Sequence, residues 1–308
     1  MGCATGGGDG VTLSQAFDLF RRQKEIDGLN DNSITTYCRV ISLFLDAVGR
    51  DLPVSDLTYD SVADYIIFVR RKGVSRATVA TYVRNVKIFL RWLDTEERLS
   101  FNPLKIKVPK SPKKQVHQYS DSEIRLIFDT VKTTVPWITA RNRAIIALML
   151  DSGIRQCEVV GLLQSNIDRE KMVMKITGKG AKDRMVSLGV VACQFLDYYL
   201  SICPYRDGPQ VFYERRGQPI TGNCVRVFVN RLQNKLGFEL SSHKLRHNFA
   251  TNYCLDHIRK NGQSDVYNLS ILMGHESIET TKRYEHFAHE IVAAEGGISH
   301  LDHVWEMG

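Results

Sequence analysis

The chain has 308 residues, 43% of them hydrophobic and 24% charged, with a formal net charge of +7. That length suits about two domains, each able to bury a core, and no apolar run approaches the ~20 residues that span a bilayer. The basic balance permits a polyanionic partner and argues against an acidic, purely solvated chain.

The first ten residues, MGCATGGGDG, lack the basic and apolar regions of a signal peptide and read as a disordered tail or a cloning remnant (1–10). Helical periodicity then dominates. Leu13, Ala16, Phe17 and Phe20 share a face, as do Ile34, Tyr37, Ile41, Phe44, Leu45 and Val48 in a second helix that Gly49 ends. A shorter third helix follows in TYDSVADYIIFVRRKG, and a fourth from Ser75, its expected N-cap, along SRATVATYVRNVKIFLRWL. Four such helices with short connections predict a compact bundle over 11–104. The fourth carries a basic stripe, Arg84, Lys87 and Arg91, apart from its apolar Val79, Val83, Val86 and Leu90. Most such stripes are solvated faces.

A proline- and lysine-rich stretch, NPLKIKVPKSPKK, comes next and predicts an extended basic linker, assigned to 105–119. A second domain is expected over 120–290. It opens with a helix capped by Ser120 or Asp121 with Glu123 close behind, then a buried helix ended by Gly153. MVMKI and RMVSL flank TGKGAKD as a hairpin with a glycine-rich turn. Helices return at 190–203, at 222–236, and in SSHKLRHNFATNYCLDH behind Ser241 or Ser242. The expected fold class is therefore mainly α with a small β-sheet, in two domains.

Four segments hold candidate chemistry. Arg155 follows Gly153 at a helix start, where a guanidinium fork suits phosphate. Lys179 stands between Gly178 and Gly180 at the hairpin tip. His243 and Arg246, three apart on one helix, point to one place. LMGHESIETTKRYEHF holds His275 and Tyr284. Each alone has an ordinary explanation: a surface ion pair, a solvated lysine, a chance pair, a core histidine, a packing tyrosine.

In this order and spacing the segments resemble the tyrosine recombinase (phage integrase) family, its XerC/XerD-like and transposon-integrase members above all. Ser152, Gly153, Ile154, Arg155, Glu158 and Leu162 meet its first box. Gly178, Lys179, Gly180, Lys182 and Arg184 meet its hairpin motif. His243, Leu245, Arg246 and His247 meet its H-x-L-R-H helix, and Met273, Gly274, His275, Thr281 and Tyr284 its last box, with Met273 for the commoner Leu. The motifs cover roughly 120–290; the preceding helices agree in layout only.

The resemblance implies a helical, SAM-like core-binding domain and a mixed α/β catalytic domain that close on duplex DNA as a C-shaped clamp. It implies that Tyr284 attacks a scissile phosphate to give a 3′-phosphotyrosyl link, that Arg155 and Arg246 clamp the non-bridging oxygens, and that Lys179 protonates the departing 5′ oxygen. His243 would assist proton transfer, His275 would hydrogen-bond the phosphate, and Glu158 would orient the site. Arg84, Lys87, Arg91, Lys110 and Lys182 become candidate DNA contacts. Lys282 and Arg283 are read as backbone contacts or solvated charges, outside the site.

No metal and no cofactor is expected, because cationic side chains do the work a metal would do. The seven cysteines are scattered with no C-x-x-C pair, as fits reduced thiols in a cytoplasmic, nucleoid-associated protein. The expected partners are a double-stranded recombination site, a homotetramer on synapsed DNA and an accessory DNA-bending protein. The tail, 291–308, is expected to dock on a neighbouring subunit. A type IB topoisomerase-like enzyme and a catalytically idle DNA-binding relative stay open as alternatives.

Overall fold

A computed structural model describes residues 10–110, 117–178 and 182–296. The chain divides into two compact units, Met1–Lys114 and Gln115–Gly308. No helix among the described residues is long and apolar enough to cross a membrane.

The first unit is built from α1 (Leu13–Ile26), α2 (Asp31–Val48), α3 (Tyr59–Arg71) and α4 (Arg76–Thr95). Each starts on a side-chain cap: Thr12, Asn30, Thr58 and Ser75 accept from the backbone N–H three residues on, where the first turn has no partner of its own. The apolar faces meet around Phe20, whose ring lies 5.4 Å from Phe89 and 5.6 Å from Trp92, edge to face. Lys87 turns its ammonium inward along the chain and donates to the carbonyls of Leu104 (3.2 Å) and Ile106 (2.7 Å). Ile106 is buried in this core and Val108 packs against it. The segment expected to be linker from 105 is thus docked on the first unit at its start; residues 111–116 lie outside the described residues.

The second unit opens with α5 (Asp121–Thr130), whose cap Ser120 and Glu123 form a reciprocal capping box. α6 (Pro136–Ser152) is buried along nearly its whole length and packs on α8 (Val190–Ile202) and α10 (Ser242–Asn261). It ends at Gly153 in the left-handed region (φ +61°), where a Cβ would stand 2.2 Å from a ring carbon of Phe249, so the position admits only glycine. The short α7 (Gln156–Val160) leads to a sheet in the order β1-β2-β3: β1 (Ile167–Asp168), β2 (Val173–Thr177) and β3 (Asp183–Ser187), all antiparallel. The hairpin stands where its turn residues put it; β1 was not foreseen, since two residues carry no readable period.

α9 (Gly222–Gln233) follows, and α11 (Val266–Met273) ends at Gly274 in the left-handed region (φ +59°). α12 (Glu279–Glu295) holds Tyr284 and packs along α10. It runs unbroken through the boundary expected at 290/291. Ala288 is buried, Ile291 and Val292 pack against the α10–α12 core, and Arg259 pairs with Glu295 at 2.8 Å. Ala288, Ile291 and Val292 thus hold this part of α12 on α10, while most of the tail expected to dock on a neighbouring subunit, 297–308, lies outside the described residues.

Candidate active site and nucleic-acid interface

The site of the second unit is organised by the end of α11. The last carbonyls of a helix have no partner within it. Here three in succession accept from three different guanidinium groups. Arg184 Nε donates to Leu272 (2.8 Å), Arg246 Nη2 to Met273, and Arg155 Nη2 to Gly274 (2.9 Å). Cations also complement the negative end of the helix dipole. Arg246 Nη1 reaches back to the carbonyl of Gly153, tying α10 to the end of α6.

Behind these groups lies Glu158, its side chain only 3% exposed. Oε1 accepts from Arg155 Nη1 (3.0 Å) and Arg184 Nη1 (2.8 Å); Oε2 accepts from Arg184 Nη2 (2.8 Å) and the backbone N–H of Arg155 (2.7 Å). Burial pushes this carboxyl up, but the Arg184 fork and the Arg155 N–H outweigh it and hold it below the usual carboxylate range. Glu158 thus orients Arg155. Arg184, which sequence reasoning noted only as a motif letter, is the buried strut that keeps Glu158 charged. The signal that could have marked it is that motif position, but no local periodicity links residues 26 apart.

Burial and the neighbouring cations hold the histidines below the usual imidazole range. His275 shares a hydrogen bond between Nδ1 and the Thr281 hydroxyl (2.8 Å) and meets Arg246 Nη2 through Nε2 (3.4 Å). Burial first, then Arg246, Arg155, Arg283 and Arg184, push its pKa down to about 4. His243 presents an exposed edge at the start of α10; partial burial and the charges of Arg283, Arg246 and Arg155 lower it too. His247, one turn on, is buried, and its Nδ1 has no hydrogen-bond partner among the described residues. Its ring bridges the site, 4.1 Å from the His243 ring and 5.2 Å from that of Tyr284.

Tyr284 is 4% exposed, its ring stacked at 6.4 Å on His275. Its hydroxyl accepts a hydrogen bond from Arg283 Nη2 at 2.8 Å, and the Arg283 guanidinium lies 4.8 Å from the ring centroid. Burial pushes the phenol up; Arg283, then Arg246 and Arg155, oppose it. Arg283, set aside at the level of sequence as a solvated or backbone-contacting charge, thus touches the phenol oxygen.

The structure brings Arg155, Glu158, His243, Arg246, His275 and Tyr284 together. Lys179 lies outside the described residues; the flanking Gly178 N–H donates to the Lys182 carbonyl (2.9 Å), closing the hairpin, and Lys182 is exposed. Gln156, beside Arg155, carries an unforeseen link: it donates to the Gly222 carbonyl (2.7 Å) and accepts from the Ser242 hydroxyl (2.9 Å), joining α7 to the starts of α9 and α10. In the first unit Arg84 and Arg91 are exposed on α4, whereas Lys87 is committed to the carbonyls named above. A separate groove of about 480 Å³ is lined by Arg70, Val74, Arg76, Val79, Pro109 and Lys110, three cations with no acid among them.

Residues 119–290 match the family model described as the phage integrase family, and residues 17–98 match the phage integrase N-terminal SAM-like domain. Among curated relatives, a tyrosine recombinase XerC of Lacticaseibacillus casei is 30% identical over 258 residues, which covers 79% of this chain and 83% of that one. A tyrosine recombinase XerD of Halalkalibacterium halodurans is 26% identical over 275 residues, 86% and 90% of the two chains. Among solved structures, the Tn1549 transposon integrase in complex with circular intermediate DNA has a TM-score of 0.72 at 16% identity, over 97% of this chain and 99% of that one. A lambda integrase dimer bound to a COC' core site has a TM-score of 0.71 at 18% identity, over 87% and 97%.

Proposed function

Because this chain belongs to the phage integrase family, we propose that it is a site-specific DNA recombinase that cuts and rejoins strands through a covalent link to Tyr284. The observation that carries this proposal is the joining of Arg155, Arg246 and His275 at the end of α11, with Tyr284 packed against them.

The phenol oxygen of Tyr284 attacks phosphorus, the bond to the 5′ oxygen breaks, and a 3′-phosphotyrosyl link holds the bond energy. A free phenol titrates near ~10 and is a weak nucleophile at neutral pH. Surrounding guanidinium groups favour the phenolate, and an aligned phosphate makes attack effectively unimolecular. Arg155 and Arg246, held from behind by carbonyls, present their remaining N–H groups to the non-bridging oxygens, where charge grows in the transition state. His275, kept neutral, adds a hydrogen bond to the phosphate. His243, also held below the usual histidine range, is free to take the phenol proton. Lys179 protonates the departing 5′ oxygen. The 5′-hydroxyl of another strand then attacks the phosphotyrosine and releases Tyr284, so strands exchange without a nucleotide cofactor.

The partner is a duplex recombination site, with strand exchange in a synaptic homotetramer and an accessory DNA-bending protein as helper. The exposed Arg84 and Arg91, Lys182 and the Arg70–Arg76–Lys110 groove supply phosphate contacts, which give affinity and salt dependence rather than sequence readout. Relaxation without strand exchange is not favoured, since the relatives above are recombinases and integrases. The test is covalent trapping on nicked suicide duplexes. Wild-type protein gives a protein–DNA adduct that Tyr284→Phe abolishes; an adduct that persists in Tyr284→Phe removes the nucleophile assignment.

A further inference from the structure

Side chains at successive helix positions diverge by about 100°. Arg283 and Tyr284 should therefore leave α12 in different directions. Instead the Arg283 side chain, exposed over much of its length, folds back across the Tyr284 ring and ends with Nη2 2.8 Å from the phenol oxygen. No carboxylate among the described residues forms an ion pair with Arg283, although Glu279, on the preceding turn, pairs with Lys282. The guanidinium is spent on the phenol oxygen.

The groups facing Tyr284 from every packed element divide by role. From α10 come Arg246, His243 and His247; from the start of α7, Arg155; from the turn after α11, His275. Arg155 and Arg246 are anchored on carbonyls at the end of α11 and so sit where a phosphate would be clamped. The three histidines are held below the usual imidazole range by burial and the nearby arginines. Arg283 is the cation in hydrogen-bond contact with the attacking atom.

Resting on the assignment of Tyr284 as nucleophile, we propose that Arg283 is a further catalytic residue of this recombinase, which holds the attacking oxygen and stabilises the phenolate as it forms. The phenol oxygen accepts from Arg283 Nη2 throughout. Its own proton passes to His243, the freed electron pair forms the bond to phosphorus, and the 5′ oxygen leaves with a proton from Lys179. The direction of the phenol's titration agrees: burial disfavours the phenolate and Arg283 is the first group opposing it. Without Arg283 the phenol rises further, and each unit of rise leaves about tenfold less phenolate at a given pH below it.

The experiment follows single-turnover adduct formation against pH at saturating protein, on the duplex that wild-type protein traps from a randomised nicked library. Arg283→Met is expected to form adduct about tenfold more slowly or worse, with the rising limb of its pH profile displaced upward by about one unit. Arg283→Lys, which keeps the charge on a different reach, is expected to recover part of both. A rate at or above wild type in Arg283→Met overturns the proposal, and so does a slower rate with an unmoved pH limb, the mark of a merely structural role. A DNA-free arm reads the Tyr284 phenol alone, as the difference in tyrosinate absorbance between each protein and its Tyr284→Phe partner. It must titrate higher in Arg283→Met; an unchanged titration also overturns the proposal. Adduct that survives Tyr284→Phe fails the nucleophile assignment itself, and the role of Arg283 with it, whereas adduct lost in Tyr284→Phe but normal in Arg283→Met fails only the latter.

Discussion

Arg184 and Glu158 face each other fork to fork, two N–H groups onto two oxygens at 2.8 Å, with the side chains 9% and 3% exposed. A bidentate pair this deep fixes angle as well as distance. Removing Arg184 leaves Glu158 only its bonds from Arg155 and takes away two buried charge-assisted hydrogen bonds, at a cost of about 1–3 kcal/mol. Arg184→Met is therefore expected to lower stability by about that amount in denaturant melts and to reduce adduct formation, because Glu158 then pulls on Arg155 alone. A melt within about 0.5 kcal/mol of wild type would show that the pair is not structural.

The same pair makes a pH prediction. The Glu158 carboxyl is depressed in the fold, so its contribution is fully present above its unfolded value and is lost as pH falls through the folded one. Wild-type stability is expected to fall below about pH 4.5, and Glu158→Gln to fall less steeply over that window. Equal slopes would contradict the assignment.

His275 and His247 drain stability in the same direction, but starting from a higher pH. Their pKa values are depressed to about 4 and about 3, so the unfolded chain takes up protons near pH 6.5 that the folded site refuses. They add nothing above that pH, and stability drains as pH falls below it. In NMR titrations the imidazole signals that vanish in His275→Gln and His247→Gln are expected to stay in the neutral form at pH 5.5. Titration of either near 6.5 refutes this.

Lys87 and Arg84 lie on one helix but are expected to fail differently. Lys87 holds the carbonyls of Leu104 and Ile106, so Lys87→Ala should lower the melting temperature while leaving the salt slope of duplex binding nearly unchanged. Arg84→Ala should leave the melt in place and reduce that slope by about 1. Exchange of the two phenotypes would assign the DNA contact to Lys87.

Helix existence and starts were legible because caps and apolar spacing are local: Ser75, Ser120 and Ser241 stand as N-caps, and Phe17 and Phe20 are buried where their period puts them. The convergence of Arg155, His243, Arg246, His275 and Tyr284 came from motif order. What the sequence could not display were long-range polar partners. Nothing near Lys87 announces a carbonyl 19 residues away. Nothing in TTKRY tells an arginine turned to solvent from one folded onto its neighbour. The continuation of α12 past residue 290 was equally hidden, since an amphipathic run fits its own domain as well as another's.

Leu272, Met273 and Gly274 act as an index rail. Their carbonyls are spaced by the chain itself, and each receives one arginine from a different element, β3, α10 and the start of α7. The spacing of the Arg246 and Arg155 guanidinium groups is thus copied from main-chain geometry rather than set by how neighbouring side chains pack. A one-residue insertion in this rail would hand every arginine the wrong carbonyl. Gly274, whose Cβ would stand 3.2 Å from the Arg184 guanidinium carbon, marks where the rail stops.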